Sequence, residues 1–265
     1  MNPKALIFDS GIGGFSVFQH IRQALPGLDS CYLMDNQLFP YGIQPDQVLI
    51  ERIVSLCRKV CDQQAIDILV IACNTASTLA LPALRDALKI PVIGVVPAIK
   101  TAAGLSVSKH IALLATPATI DRPYIDQLIE DHGQGCQLTR IGSSELVKLA
   151  EEYWLNDEFC EQELAAILSP HLESSEVDQM ILGCTHFPIL SEKIEQLFPQ
   201  VNLVDSGEAI ARRVCSVLQD LGYNSGHYSQ ALNQHNLLAT APIADKEVFL
   251  STCQRIAPYQ SFNII

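Results

Sequence analysis

The sequence predicts an α/β protein made of two similar parallel-sheet domains that face each other across a central cleft. Three observations carry that expectation. One short pattern is written twice, as Asp67-Ile68-Leu69-Val70-Ile71-Ala72-Cys73-Asn74-Thr75 and as Asp178-Gln179-Met180-Ile181-Leu182-Gly183-Cys184-Thr185-His186. Each copy runs from an Asp through an apolar stretch and a small residue to a cysteine and two polar residues. Short apolar runs alternate along the whole chain with longer amphipathic ones, which is the pattern of βαβ units in a parallel sheet. A second echo links Leu6-Ile7-Phe8-Asp9-Ser10-Gly11 to Leu203-Val204-Asp205-Ser206-Gly207. The join between the halves is expected near Gly94–Pro97 and the return near Asp205–Gly207. The first domain is then 1–95 plus 208–265, carrying Cys73, and the second is 96–207, carrying Cys184.

Taken in chain order, the expected strands are Ala5–Phe8, Cys31–Met34, Ile66–Ala72, Val92–Val95, His110–Ala115, Gln137–Ile141, Gln179–Leu182 and Asn202–Val204. Most are short apolar runs, and the two within the repeated pattern read as parallel strands buried on both faces. Helix-period segments lie between them. Val48–Cys61 places Leu49, Ile53, Leu56, Cys57 and Val60 on one face. Ala76–Leu88, Ile120–Asp131, Glu158–Leu168, Pro188–Leu197 and Glu208–Leu221 follow the same period. The stretch 222–242 has no clear period and receives no assignment. The polar pair after each repeated cysteine starts a helix well. Each thiol should therefore stand at the carboxyl end of a strand where the next helix begins, the place where open α/β sheets bind ligands.

Composition narrows the function. At 265 residues with 48% apolar and 17% charged side chains, the chain can bury real cores. A net charge of −12 and no Lys/Arg cluster speak against nucleic acid and against a polybasic membrane contact. No run approaches the roughly 20 apolar residues of a membrane span, and no signal peptide is expected at the N-terminus. Nine cysteines without framework spacing read as free thiols in a reducing compartment, so a cytoplasmic protein is expected.

Cys73 and Cys184 are the leading chemical candidates. A helix start lowers a thiol's pKa and offers N–H groups to an anion, and two equivalent thiols suit chemistry that needs a base on each side of one atom. The other seven, Cys31, Cys57, Cys61, Cys136, Cys160, Cys215 and Cys253, read as small buried hydrophobes. His186, two residues after Cys184, could tune that thiolate; a metal is not expected, since Cys-x-His alone is no zinc pattern. Asp9-Ser10-Gly11-Ile12-Gly13-Gly14 departs from the dinucleotide fingerprint and reads either as a simple strand–helix turn or as an anion or amine cradle. In Pro40-Tyr41-Gly42 a tyrosine hydroxyl and a glycine N–H could meet a carboxylate. Ala115-Thr116-Pro117-Ala118-Thr119 could present hydroxyls at a sheet end. Glu151 and Glu152 end an expected helix and read first as a solvated face, with a gate or a role supporting the site as the alternative.

These residues carry a resemblance. Phe8–Gly14, Pro40–Gly42, Ala72-Cys73-Asn74-Thr75-Ala76-Ser77, Leu114–Pro117 and Leu182-Gly183-Cys184-Thr185-His186-Phe187-Pro188 resemble, in order, the motifs of the glutamate racemases within the aspartate/glutamate racemase superfamily. The resemblance implies cofactor-independent interconversion of L- and D-glutamate, the D form supplying peptidoglycan. It implies that Cys73 takes the α-proton from D-glutamate and Cys184 from L-glutamate. Asp9 would assist Cys73 and His186 would assist Cys184. Asp9, Ser10, Tyr41, Gly42, Asn74, Thr75, Thr185 and His186 would bind the amino acid, with no cofactor and no metal. The chain departs from the family pattern at Asp35-Asn36, where many members carry Asp-Thr, and at Pro123, and it matches poorly after Leu221. A homodimer is left open. The rivals are an aspartate or hydantoin racemase, a Cys184–His186 thiol hydrolase and a non-catalytic amino-acid binder.

Overall fold

The computed structural model describes residues 2–223 and 233–265. The chain divides into two compact units, Met1–Val95 with Gly207–Ile265, and Val96–Ser206. The first unit opens with β1 (Lys4–Asp9), α1 (Phe15–Ala24), β2 (Asp29–Met34), α2 (Asp46–Gln63), β3 (Ile68–Ile71), α3 (Asn74–Ala87) and β4 (Val92–Gly94). The second unit holds α4 (Ile99–Leu105), β5 (His110–Ala115), α5 (Pro117–Ile120), α6 (Pro123–His132), β6 (Gln137–Gly142), α7 (Glu145–Asn156), α8 (Glu161–Leu172), β7 (Gln179–Leu182), α9 (Ser191–Leu197) and β8 (Asn202–Val204). The chain then returns to the first unit with α10 (Gly207–Asp220), β9 (His235–Ala239), α11 (Lys246–Ile256) and β10 (Tyr259–Ile264).

Every strand pairing is parallel. The first sheet runs β10-β9-β2-β1-β3-β4 and the second β6-β5-β7-β8. Without β9 and β10 the two orders are the same: the unit's second strand, then its first, third and fourth. The expectation of two parallel α/β domains is therefore met, and the repeated cysteine pattern falls on equivalent strands, β3 and β7. All four residues of each are buried, so a continuous apolar run was the signal to read. The Asp that opens each copy has an equivalent place as well. Asp67 accepts the N–H of Lys4 at 2.8 Å, at the start of β1, and Asp178 accepts that of Ser108 at 2.9 Å, just before β5. Both carboxylates anchor strand starts, at the end of the sheet away from the cysteines.

The second echo is corrected by this topology. It aligned β1 with β8, but the counterpart of β1 is β5, since each is the strand flanked by its unit's second and third strands. The likeness of Leu203–Gly207 to Leu6–Gly11 reflects a shared strand-end composition on strands of different rank.

Helix α2 buries the five residues read as its apolar face, Leu49, Ile53, Leu56, Cys57 and Val60, which join Leu6, Phe8, Leu69 and Ile71 in the core of the first unit. The core of the second is built on Ile111, Leu113, Ala115 and Ile181. The single helix expected over Ile120–Asp131 is two. Pro123 takes the first turn of α6 and forces Arg122 into an extended conformation, φ −77° and ψ 135°, which ends the preceding helix. Pro188 likewise sits in a 3₁₀ turn, Phe187–Leu190, that precedes α9. Thus a helix begins directly after Cys73, whereas Cys184 is followed by a turn.

Helices α1, α4 and α11 and strands β9 and β10 had no assignment in the sequence, and α7 was read only as a helix ending at Glu151 and Glu152, whereas it runs on to Asn156. Strand β10 is an edge with a mixed exposure pattern, so no periodicity marks it. Strand β9 lies in the unassigned stretch 222–242, of which 224–232 lie outside the described residues. All nine cysteines are free thiols. Cys31, Cys57 and Cys253 are buried as expected, but Cys61, Cys136, Cys160 and Cys215 are only half-buried. Among the described residues no helix is long and apolar enough to cross a membrane.

Candidate active site

In the first unit the strand order reverses at β1, which has β2 on one side and β3 on the other. The carboxyl ends of β1 and β3 flank a topological switch point, where α/β sheets gather their ligands. Phe8 is level with Ile71, so Ser10 comes level with Cys73, and Ser10 Oγ lies 3.9 Å from Cys73 Sγ. Cys73 is the N-cap of α3, and its sulfur accepts the N–H of Ala76 at 3.5 Å. The helix's partial positive charge at that end favours a thiolate over a thiol.

Asp9 ends β1 with no exposed surface, and its Oδ1 accepts the N–H of Gly11 at 2.9 Å. The turn behind it packs so closely that a Cβ on Gly14 would stand 2.7 Å from both Asp9 Cβ and the Tyr32 hydroxyl oxygen. The Gly-rich run therefore serves as a tight support for Asp9. Asn74 and Thr75, the first residues of α3, are buried, and Asn74 Oδ1 finds no hydrogen-bond partner. A buried acceptor left unpaired in a strand-end site is what a ligand donor such as an ammonium group would satisfy.

Tyr41 and Gly42 lie in a short 3₁₀ turn, Tyr41–Ile43. The idea that the Tyr41 hydroxyl reaches a substrate carboxylate needs correction: that hydroxyl donates to Asp35 Oδ2 at 2.7 Å, and the ring is buried. Burial first, and then the Asp35 charge, push the phenol far above its ordinary range, so the donor stays protonated and directed at Asp35.

In the second unit the order reverses at β5, between β6 and β7. The ends of β5 and β7 form the equivalent place. Gly183 lets them close up: its N–H donates to the Leu114 carbonyl at 2.7 Å, and a Cβ there would meet Leu113 Cδ1 at 2.7 Å and Ala115 Cβ at 3.1 Å. Thr116, just after β5, is buried with its hydroxyl 3.0 Å from that of Thr119. Cys184 follows, with Thr185 and His186 also buried.

His186 bridges two groups. Its Nδ1 lies 3.7 Å from Cys184 Sγ and its Nε2 lies 2.8 Å from Glu151 Oε1. Burial works to lower the imidazole pKa, but the hydrogen bonds to Cys184 and Glu151 outweigh it and hold the pKa well above the usual histidine value. These contacts favour the charged imidazolium over the neutral ring. Glu151 is a correction to the solvated-face reading. It stands on α7, which packs against the 3₁₀ turn after His186, and its side chain is only 19% exposed. The signal was present in the sequence: Glu151 lies one helical turn beyond Val147 and next to Ala150, both buried, so it continues the apolar face of α7. Glu152 is exposed, as read.

Each unit by itself thus presents one buried cysteine at a switch point, beside a polar partner and short hydroxyl side chains. Asp9, Ser10, Cys73, Asn74 and Thr75 are gathered in the first unit. Cys184, Thr185 and His186 are gathered in the second, together with Glu151. No group of three His, Cys, Asp or Glu suited to holding a metal occurs among the described residues.

Comparison with known proteins places the chain in a family. Residues 12–214 match the model of the Asp/Glu/Hydantoin racemase family. A glutamate racemase of Vibrio vulnificus (strain YJ016) is 50% identical over 224 residues, covering 84% of each chain. One of Shewanella loihica is 48% identical over 233 residues, covering 88% of this chain and 87% of the other. The crystal structure of Escherichia coli glutamate racemase in complex with L-glutamate and the activator UDP-MurNAc-ala superposes with a TM-score of 0.91 at 38% identity, covering 100% of this chain and 98% of that one. The chain belongs to the Asp/Glu/hydantoin racemase family and, within it, to the glutamate racemases.

Proposed function

We propose that the chain interconverts L- and D-glutamate by two-base proton transfer between Cys73 and Cys184, without pyridoxal phosphate or metal. The observation that carries this is the placement of the two thiols: the same pattern, on equivalent strands of two units with the same strand order, each at a switch point. A thiol hydrolase would use Cys184 and His186 and leave Cys73 without a task. The L-glutamate in the Escherichia coli relative supports glutamate as the substrate.

In this reading a Cys184 thiolate removes the α-proton of L-glutamate while the Cys73 thiol donates a proton to the opposite face. D-glutamate reacts by the reverse route. One sulfur gains a proton as the other loses one, so the enzyme ends each turnover with the thiol and thiolate exchanged. Only one of the two sulfurs is charged in a competent state. The His186 imidazolium, oriented by Glu151, stabilises the Cys184 thiolate, and Asp9 assists Cys73 from the neighbouring strand end. Ser10, Tyr41, Gly42, Asn74, Thr75 and Thr185 hold the amino acid. An α-proton beside a carboxylate is a weak acid, so preorganised donors and exclusion of water supply much of the acceleration. The D-glutamate would serve peptidoglycan synthesis.

Circular dichroism of L-glutamate with the purified protein tests this directly. The optical signal should decay to zero with no cofactor added and after dialysis against a chelator, while L-aspartate keeps its signal. Activity that vanishes on chelation and returns with zinc would refute the two-thiol mechanism.

A further inference from the structure

The turn that carries Tyr41 and Gly42 is held by a carboxylate for which the chemistry above has no use. Asp35 follows β2 with no exposed surface and receives four hydrogen bonds. Oδ2 accepts the Tyr41 hydroxyl at 2.7 Å and Arg52 Nε at 3.1 Å. Oδ1 accepts Arg52 Nη2 at 2.9 Å and the Thr240 hydroxyl at 2.6 Å. Two donors on each oxygen are what a buried carboxylate requires, and one guanidinium supplies half of them in a fork. The backbone N–H of Asp35 donates in turn to the carbonyl of Asp9 at 2.9 Å.

The three partners stand on separate elements, and Thr240 is also remote in sequence. Arg52 is on α2, and Thr240 follows β9 in the C-terminal segment. Asn36 strengthens the second link, its Oδ1 accepting the N–H groups of Thr240 and Ala241 at 3.0 and 2.9 Å. The Asp35-Asn36 pair is thus the point at which the C-terminal strands are tied to the Tyr41 turn. With the hydroxyl of Tyr41 directed at Asp35, what the turn can still offer an anion is its backbone N–H groups.

We infer that Arg52 and Thr240 are positioning residues of the racemase reaction: they hold Asp35, Asp35 holds the Tyr41 ring, and the turn then presents backbone N–H groups of Tyr41 and Gly42 to a glutamate carboxylate. This rests on the proposed substrate role of that turn. It makes the Tyr41 hydroxyl an anchor and not a ligand.

Steady-state kinetics on a double-mutant cycle decides the matter. Tyr41→Phe and Arg52→Gln should each raise KM for L-glutamate about tenfold, the size expected for losing a hydrogen bond to a charged group, with a smaller change in kcat. The double variant should be no worse than the poorer single one, because both break the same chain of contacts. Arg52→Lys should recover only part of the loss, since an ammonium cannot replace the fork. Thr240→Val should move KM in the same direction and Thr240→Ser should restore it, and these serve if Arg52→Gln does not fold. The inference is overturned if Tyr41→Phe raises KM while Arg52→Gln and Thr240→Val do not, if the losses multiply, or if all stay within twofold of wild type. A wild-type protein that leaves glutamate unchanged would instead refute the proposed function itself.

Discussion

Replacing Glu151 by Gln isolates the charge that holds His186. The substitution keeps a carbonyl oxygen able to accept from Nε2 across the 2.8 Å contact and changes little in volume. Deleting one partner of a fully buried ion pair costs about 3–5 kcal/mol, but Gln leaves a neutral hydrogen bond and Glu151 is 19% exposed, so solvent shares in the loss. A hydrogen bond to a charged group is worth about 1.5–3 kcal/mol and a neutral one about 0.5–1.5. The difference, roughly 1–1.5 kcal/mol, is about tenfold in rate. Two enantiomers have equal free energy, so kcat/KM must fall equally in both directions of racemisation and cannot reveal which thiol is affected. The half-reactions can. A β-chloro analogue of glutamate eliminates chloride once its α-proton is removed and needs no reprotonation. Elimination from the L-analogue, which uses Cys184, should slow about tenfold in Glu151→Gln, while elimination from the D-analogue through Cys73 should be nearly unchanged. Equal loss on both enantiomers, or no loss on either, would refute the role assigned to the Glu151–His186–Cys184 chain.

The remaining expectations concern the same groups. Cys73→Ser and Cys184→Ser should each abolish racemisation, yet Cys73→Ser should still eliminate from the L-analogue and Cys184→Ser from the D-analogue. The informative readout is the exchange of enantiomer preference between them. Asp9→Asn should lower turnover by about 10²–10⁴-fold, the usual contribution of a positioned acid or base, with the thermal midpoint nearly unchanged because Asn can still accept the Gly11 N–H. His186 has a folded-state pKa raised above its unfolded value near 6.5. Its contribution to stability is therefore fully present below about pH 6.5 and is lost as the pH rises through the folded value. The gap in thermal midpoint between wild type and His186→Gln should be widest at acid pH and close as the solution becomes alkaline; a gap that widens would reverse the assigned charge state.

Much of this molecule could be read from its residues because the decisive signals are local. A buried parallel strand needs an apolar run, and Ile68–Ile71 and Met180–Leu182 supply it, each followed by a small residue and a cysteine. The apolar face of α2 follows from a 3.6-residue period alone. Two parallel-sheet units and a cysteine near each switch point required nothing more. Tertiary structure decided what depends on partners remote in sequence. Glu151 and His186 are 35 residues apart, and only the packing of α7 on the turn after Cys184 brings them together. The Tyr41 hydroxyl could have faced a ligand, but Asp35, Arg52 and Thr240 offered a buried charge that it satisfies. Strands β9 and β10 join the first sheet by pairing with β2 and with each other, so their own composition need not announce them. The equivalence of β1 with β5 is likewise a property of strand order, which is set by which edges remain free when helices cover the faces and leaves no mark on any single segment.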